Sequence, residues 1–476
     1  MKKILGLFIV VVVGTWTYAQ TPKRDAPPAL TKAKNLQLPP VQKFTLSNGL
    51  QVVFMEKHNV PLVQINLLVQ TGSFDDPAGK EGLSSFAMDL MDEGAGKFNS
   101  LQLADEIEFL GAQINTANRT FTSEVNCSVA VSKLDAALKL MTDIVLTPSF
   151  AESEIERIRK SRLNALLQGY DDPNVISQRA FSKLLFPGMS YGKFPTESSI
   201  RSFTKDDLVS FHKTQFVTGN CTLVIVGDAT RDSLTPVLEK YLASLPKGIA
   251  SKPTRPVPTQ VKGLSVYIID KPAAAQSIIR IGRIGASRTD AAYSSIVVMN
   301  TILGGSFTSR LNNNLRELHG YAYGASSGFS FWMVPGPFIA NSSVQTDVTG
   351  PALGEFFNEF KKMRQPMPEE DFIRGRNYVA LGYAGQFETN SNIASALADL
   401  VTYNLPDQYF NSYVEKVLTV SKKELEETSK RFIVPDNMLV VVVGDRAKIE
   451  AGIAKLNLGK VTVMSIEDVL GKKPQL

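Results

Sequence analysis

Histidine is nearly missing from this chain. Of 476 residues only three are His: His58, His212 and His319. They lie far apart and form no His-x-x-x-His pair, so two imidazoles one helical turn apart, a common zinc anchor, are excluded. Cysteine is scarcer still. Cys127 and Cys221 are too few for a disulfide scaffold or a thiolate cluster. Both fall in strand-like stretches. Separate burial as small hydrophobes is the favoured reading, and pairing in an oxidising compartment is the alternative. Charge of one sign is lacking too. Lys and Arg number 51 against 46 Asp and Glu, a net +5, which gives no footprint for nucleic acid. Beyond the N-terminus, no apolar run reaches the ~20 residues that span a bilayer.

What is present begins with a leader. Lys2-Lys3 precede the apolar run Ile4 to Val13, and GTWTYAQT follows. That is a signal peptide over residues 1–20, cleaved near Ala19 or Gln20. The run is too short for a membrane anchor, and no Cys near the cleavage site suggests lipidation. The expected mature chain is exported, into the periplasm in a Gram-negative cell. Removing Lys2 and Lys3 lowers the net charge by two. Residues 21–40 are polar and Pro-rich and read as an arm or linker. The remainder, 43% hydrophobic and 20% charged, is globular in composition and too long for one ordinary core.

Hydrophobic patterning then alternates strands and helices. Asn48-Gly49 marks a hairpin between Phe44 and Phe54. Strands are expected over 61–69 and 120–131, and helices over 101–110, 132–144 and 153–169. Ser153 and Glu156 suggest a capping box, and Asp171-Asp172-Pro173 ends the last helix. The buried strand after Asn220, CTLVIVGD, recurs after Asn437 as MLVVVVGD. Three more elements repeat in the same order. Segment 140–162 matches 357–379, the strand LLVQTGSFDD matches GRIGASRTD, and the helix GLSSFAMDLMDEG matches YSSIVVMNTILGG. The chain therefore reads as a duplicated α+β unit: residues 41–250, a Pro/Lys-rich linker at 251–263, and residues 264–476.

Residues 72–94 read GSFDDPAGKEGLSSFAMDLMDEG: a strand end, an acidic turn and a helix start. This frame resembles the His-x-x-Glu-His region of the inverzincin metallopeptidases, the family of pitrilysin and the mitochondrial processing peptidase. The resemblance covers about residues 41–460. It implies two tandem homologous domains, each a mixed sheet flanked by helices, facing each other as a clamshell. It also implies that extended peptides bind by adding to a sheet edge. The slots of the two His and the Glu hold Ser85, Asp89 and Met88. The slot of the third ligand, a Glu counted back from Asp171-Asp172-Pro173, holds Ala165. All four groups are absent, so this chain is expected to bind no zinc and to catalyse nothing in isolation. Asp89, Asp92 and Glu93 could suit a hard cation, though a solvated helix end is the favoured reading.

The second half is different. Residues 303–324, LGGSFTSRLNNNLRELHGYAYG, resemble the family's other signature, a Gly-rich turn followed by Arg and then Tyr. Arg316 and Tyr323 take those places. The resemblance implies that they bind the substrate backbone and the oxyanion of the tetrahedral intermediate, for which a cationic fork and a neutral hydroxyl suit. The bland alternative pairs Arg316 with Glu317 and buries Tyr323. Gly304 and Gly305 suggest a close approach or a positive-φ turn, and His319 a surface turn. The expected function is the non-zinc-binding subunit of a heteromeric metallopeptidase that cleaves short or unfolded peptides. Zinc would sit on a His-x-x-Glu-His partner of the same family. The alternatives are a non-enzymatic peptide-binding or scaffold protein and, less favoured, a peptidase with an altered metal site.

Overall fold

A computed structural model describes residues 33–252 and 254–475. The expected leader and the arm up to residue 32 lie outside the described residues. The end of the arm has no regular structure, and its Leu38 N–H donates to Asn411 Oδ1 at 2.9 Å.

Two six-stranded mixed sheets carry the fold. The first contains β1 (Gln42–Thr45), β2 (Gln51–Glu56), β3 (Leu62–Val69), β4 (Gln113–Asn118), β5 (Ser123–Ala130) and β6 (Cys221–Gly227). Its order is β1-β2-β6-β3-β5-β4. The second contains β7 (Ser265–Asp270), β8 (Gln276–Ile284), β9 (Ala322–Phe329), β10 (Pro337–Gln345), β11 (Leu439–Gly444) and β12 (Val461–Met464), in the order β9-β10-β8-β11-β7-β12. Five strands correspond one for one, β2 through β6 with β7 through β11. Their neighbours and directions agree: β2 is parallel to β6 as β7 is to β11, and the other pairs are antiparallel. The sixth strand differs. β1 precedes its neighbour and runs antiparallel, whereas β12 follows and runs parallel. Tandem duplication and an α+β fold are thus both present.

The continuous apolar runs of β6 and β11 follow from cover on both faces; every residue of β11 is buried. Part of that cover is exchanged between the halves. Five helices matter here: α1 (Leu83–Met91), α2 (Glu152–Gly169), α3 (Pro173–Leu185), α4 (Tyr293–Leu303) and α5 (Asn390–Tyr403). α3 and α5 occupy equivalent places in the two repeats. Yet α3 packs on β8 and β11 of the second sheet, and α5 on β3 and β6 of the first. Phe181 of α3, 1% exposed, comes so close to Gly282 that an added Cβ there would lie 2.8 Å from its ring and 2.0 Å from the Phe338 carbonyl oxygen. Asn390 at the start of α5 donates from Nδ2 to the Leu62 carbonyl at 3.0 Å. The halves face each other, but each sheet is closed by the other half's helix.

The seam is further pinned by Trp332. Its ring lies 5.1 Å from Phe74, 5.3 Å from Phe186 and 5.5 Å from Tyr191, centre to centre. The described residues of 251–263 form no helix or strand, but they are strapped down. Arg255 grips Asp75 with two hydrogen bonds of 3.1 and 2.8 Å and lies over Phe121. Tyr191 donates to the Pro256 carbonyl at 3.0 Å.

Local expectations fare unequally. Gly49 does turn the first hairpin, with φ +94°. The capping box at Ser153 and Glu156 does not form. α2 starts one residue earlier, Ala151 is its N-cap without a side-chain acceptor, and Glu156 instead pairs with Arg159 at 3.0 Å. Asp172-Pro173 both stops α2 and starts α3: the Asp172 side chain accepts from the Asn174 N–H at 2.8 Å and Pro173 takes the first helical position. Cys127 and Cys221 are buried free thiols. They sit on opposite sides of β3, facing Ile65 and Val69, a separation of about 16 Å from strand spacings that no disulfide spans. Burial pushes both thiols up to about 12.

Candidate functional site

α1 is set by an acidic cap in the loop before it. Asp76 accepts from the Gly82 N–H at 2.7 Å and the Ser84 N–H at 2.9 Å. Gly82 holds φ +96° under Pro195, which leaves no room for a side chain. The helix is apolar on most of its surface, and Leu83, Phe86, Ala87, Met88, Leu90 and Met91 are buried. Met88, in the slot of the family's proton-handling Glu, is 1% exposed, and its carbonyl accepts from Thr116 of β4 at 2.7 Å. It is a core residue.

Ser85 and Asp89, one turn apart, share a half-buried face. The Ser85 hydroxyl donates to the Gly82 carbonyl at 3.0 Å. The neighbour that organises this face is Arg162 of α2, one turn before Ala165. Its guanidinium binds the Asp89 carboxylate and reaches the Ser85 carbonyl at 3.4 Å. Ala165 itself is exposed. These residues do not fit a zinc ion. A hydroxyl, a thioether, a methyl and one carboxylate replace two imidazoles and two carboxylates, and a cation already occupies the one anionic group. Among the described residues no cluster of three or more His, Cys, Asp or Glu could hold a metal.

The acidic set beyond Asp89 is likewise committed. Glu93 pairs with Arg157 at 2.6 Å and accepts from Ser100 at 2.5 Å. Asp92 is pushed up to about 6, first by burial and then by the charges of Glu93 and Asp89. Among the described residues these carboxylates form no group that could hold a metal ion.

In the second half the structure brings Arg316 and Tyr323 together. Both line one cleft of about 570 Å³ with Gly304, Gly305 and Asn312. Arg316 lies on a π-helical stretch, Asn313–Leu318, a widened turn often found at functional sites. Its guanidinium sits 4.7 Å over Phe307 and pairs with Glu317 at 3.3 Å, both partners well exposed. The expected alternative partner is therefore real. Tyr323, however, is not core: it is 91% exposed. It sits where the β9–β10 register shifts, a bulge that re-aims side chains. Asn312 ties the cleft together, donating to the Phe307 carbonyl at 2.7 Å and accepting from the Ala325 N–H at 3.1 Å. Gly304 is a close approach, not a positive-φ turn; a Cβ there would fall 2.4 Å from the Ser327 nitrogen. His319 is exposed and stacks on Tyr321 at 4.9 Å. The α1 face lines a separate pocket, shared by Ser85 with Phe74, Asp76 and Lys193.

Sequence reasoning missed two features. Arg162 had a signal, an Arg one turn from the empty ligand slot. The other is a cavity of about 920 Å³ between the halves, walled by tyrosines of α4, α5 and the segments beside them. Its hint was the run of Tyr383, Tyr403, Tyr409 and Tyr413. The helix Pro173–Leu185 and the edge strand β4 were also unassigned; Gln113–Asn118 is too polar to read as a strand.

Both halves of the chain match known family models. Residues 51–183 match the family model described as Insulinase (Peptidase family M16), and residues 202–379 match Peptidase M16 inactive domain. The first match contains Ser85, Met88, Asp89 and Ala165, and the second contains Arg316 and Tyr323. The chain is 26% identical over 338 residues to an uncharacterized zinc protease of Rickettsia felis, covering 70% of this chain and 81% of that one. It is 21% identical over 407 residues to a non-peptidase homolog of Helicobacter pylori, covering 83% and 92%. A crystal structure of a peptidase M16 inactive domain from Pseudomonas fluorescens superposes with a TM-score of 0.79 at 24% identity, covering 85% of this chain and 98% of that one.

Proposed function

Because this chain belongs to the M16 peptidase family, we propose that it is the non-zinc-binding subunit of a heteromeric metallopeptidase. In this reading it is exported, into the periplasm of a Gram-negative cell, and assembles with a family member that carries His-x-x-Glu-His. It catalyses nothing alone. The partner's zinc supplies the polarising metal. This chain supplies Arg316 and Tyr323, two donors aimed at substrate backbone and at developing negative charge.

One observation carries the reading: Tyr323 is held 91% exposed beside Arg316 in a cleft whose rim also exposes Phe307 and Tyr378. Aromatic rings left in water by their own chain suit an interface. A homodimer would bring two copies of the Ser85/Asp89 face and no imidazole pair, so the complementing subunit has to be a different chain. The second reading, a non-enzymatic peptide-binding or scaffold protein, draws on the Arg162–Asp89 pair, which neutralises the family's chemical centre in this chain.

The deciding experiment is a pull-down from native extract with metal analysis and a peptide-cleavage assay. The proposal expects an exported His-x-x-Glu-His chain to co-purify, zinc near one per heterodimer, and cleavage only in the mixture. Stoichiometric zinc on this chain alone, or full activity of the partner alone, would refute it.

A further inference from the structure

The cavity between the halves is built to bind, and nothing in the peptidase reading uses it. Its volume is about 920 Å³, in the upper range of small-ligand sites. Arg288 lies at one side, only 8% exposed. Its guanidinium is layered on Tyr293 at 4.0 Å and Tyr409 at 4.7 Å and donates one hydrogen bond, to the Tyr409 hydroxyl at 2.9 Å. Among the described residues no carboxylate lies within 4.0 Å of it, and its other N–H groups make no hydrogen bond, yet they are not sealed from solvent. A buried guanidinium with free donors is costly unless something meets them.

The same cavity also holds opposite charge. Asp399 of α5 lines the same cavity without a salt bridge or hydrogen bond to any described residue. Burial of its surroundings raises its affinity for protons, and the more distant Arg288 opposes this. Tyr383 and Tyr413 of the same wall, each 5% exposed, pack ring to ring at 4.5 Å. Their hydroxyls have no partner among the described residues and are also not sealed. The other charged residues that line it, Arg119 and Glu124, pair with each other at 2.7 Å.

We propose that this cavity is a binding site for a short zwitterionic peptide with an aromatic side chain, its free carboxylate on Arg288 and its free ammonium toward Asp399. A purely anionic ligand would meet Asp399 and a purely cationic one Arg288, so a neutral ligand with separated charges fits best. The tyrosine faces take the aromatic ring and their hydroxyls the backbone. This recognition of chain ends differs from sheet-edge addition, and it requires neither a partner subunit nor zinc.

The test uses the chain alone, titrated with Ala-Phe-Ala by calorimetry and by the emission of Trp332, which lines the cavity. Free Ala-Phe-Ala should bind one to one. Its C-terminal amide and its N-acetyl form should each bind about tenfold weaker or worse, the size of one lost charged hydrogen bond. Asp399→Asn should erase the discrimination against N-acetyl and keep that against the amide. Arg288→Gln should do the reverse. If the Arg288 variant fails to fold, the Asp399 variant and the three peptides still decide. Absence of binding at about 10 mM, equal binding of all three peptides, or an unchanged preference in Asp399→Asn would each overturn the proposal.

Discussion

The two halves share five strands in the same order and directions, yet the candidate site in each half meets opposite treatment. The first half closes it. Met88 is in the core, and Arg162 lies on Asp89 where the family would place a cation. The second half opens it: a π-helical turn and a bulged edge strand hold Arg316 and Tyr323 out in a cleft. A duplicated scaffold fixes where side chains can be placed. Burial and charge at a few positions then decide whether the place is used. An exposed tyrosine contributes little to stability, and Tyr323 stands with exposed Phe307 and Tyr378 at one cleft, a grouping that suits binding.

That contrast can be broken in several places. The largest effect is expected where the halves exchange helices. Phe181→Ala should cost about 4 kcal/mol and still give one coincident denaturant transition for both halves; two separable transitions would show that the exchange is not a brace. Met88→Glu should follow, at about 3 kcal/mol, because a carboxyl would enter a core position. Tyr323→Ala on the open side should stay within about 0.5 kcal/mol, and a similar loss at both positions would erase the distinction between closed and open faces.

On the functional side, Arg316→Ala should lower kcat of the reconstituted complex about a hundredfold, and Tyr323→Phe about tenfold, with assembly intact by gel filtration. Wild-type rates in both would return the pair to a structural role. A smaller effect concerns pH. Asp92 has a folded-state value near 6, raised from 3.8, so the native state holds this proton more tightly than the unfolded chain. Its contribution is fully present below about pH 4 and lost as pH rises through about 6. Asp92→Asn should therefore flatten the loss of stability between those values in urea titrations; an unchanged slope would show that Asp92 is not the group responsible. A small effect is also expected for Asp89→Asn, under about 1 kcal/mol for a half-exposed ion pair. A much larger loss in thermal unfolding would show that the Arg162 contact holds α1 to α2.

Much of this was legible in the chain. The matching strands after Asn220 and Asn437, the hairpin at Asn48-Gly49, the three empty ligand slots and the replaced base are local signals, carried by burial patterning and by residue type. Arg316 and Tyr323 could be named, but not their exposure, since an Arg and a Tyr at that spacing pack equally well into a core. The Ser153 and Glu156 pattern misled because a capping box depends on where the chain bends, and the bend came two residues earlier, at Ala151. β4 escaped notice because an edge strand of polar residues lacks the alternation that marks a buried one. Arg162 could not be matched to Asp89, because the pairing joins two helices whose packing no local pattern encodes.

By itself, then, the sequence determined the duplication, the α+β class and the absence of zinc ligands, because each depends on which residues are present and how often apolar ones recur. Only the tertiary structure decided that α3 and α5 change places, that Arg162 sits on the degenerate metal position, and that Arg288 and Asp399 line one tyrosine-walled cavity. Those outcomes depend on which surfaces meet after folding. Helices of similar apolar character can cover either sheet, and only the packing of the whole chain, down to the space left at Gly282 for Phe181, selects between them.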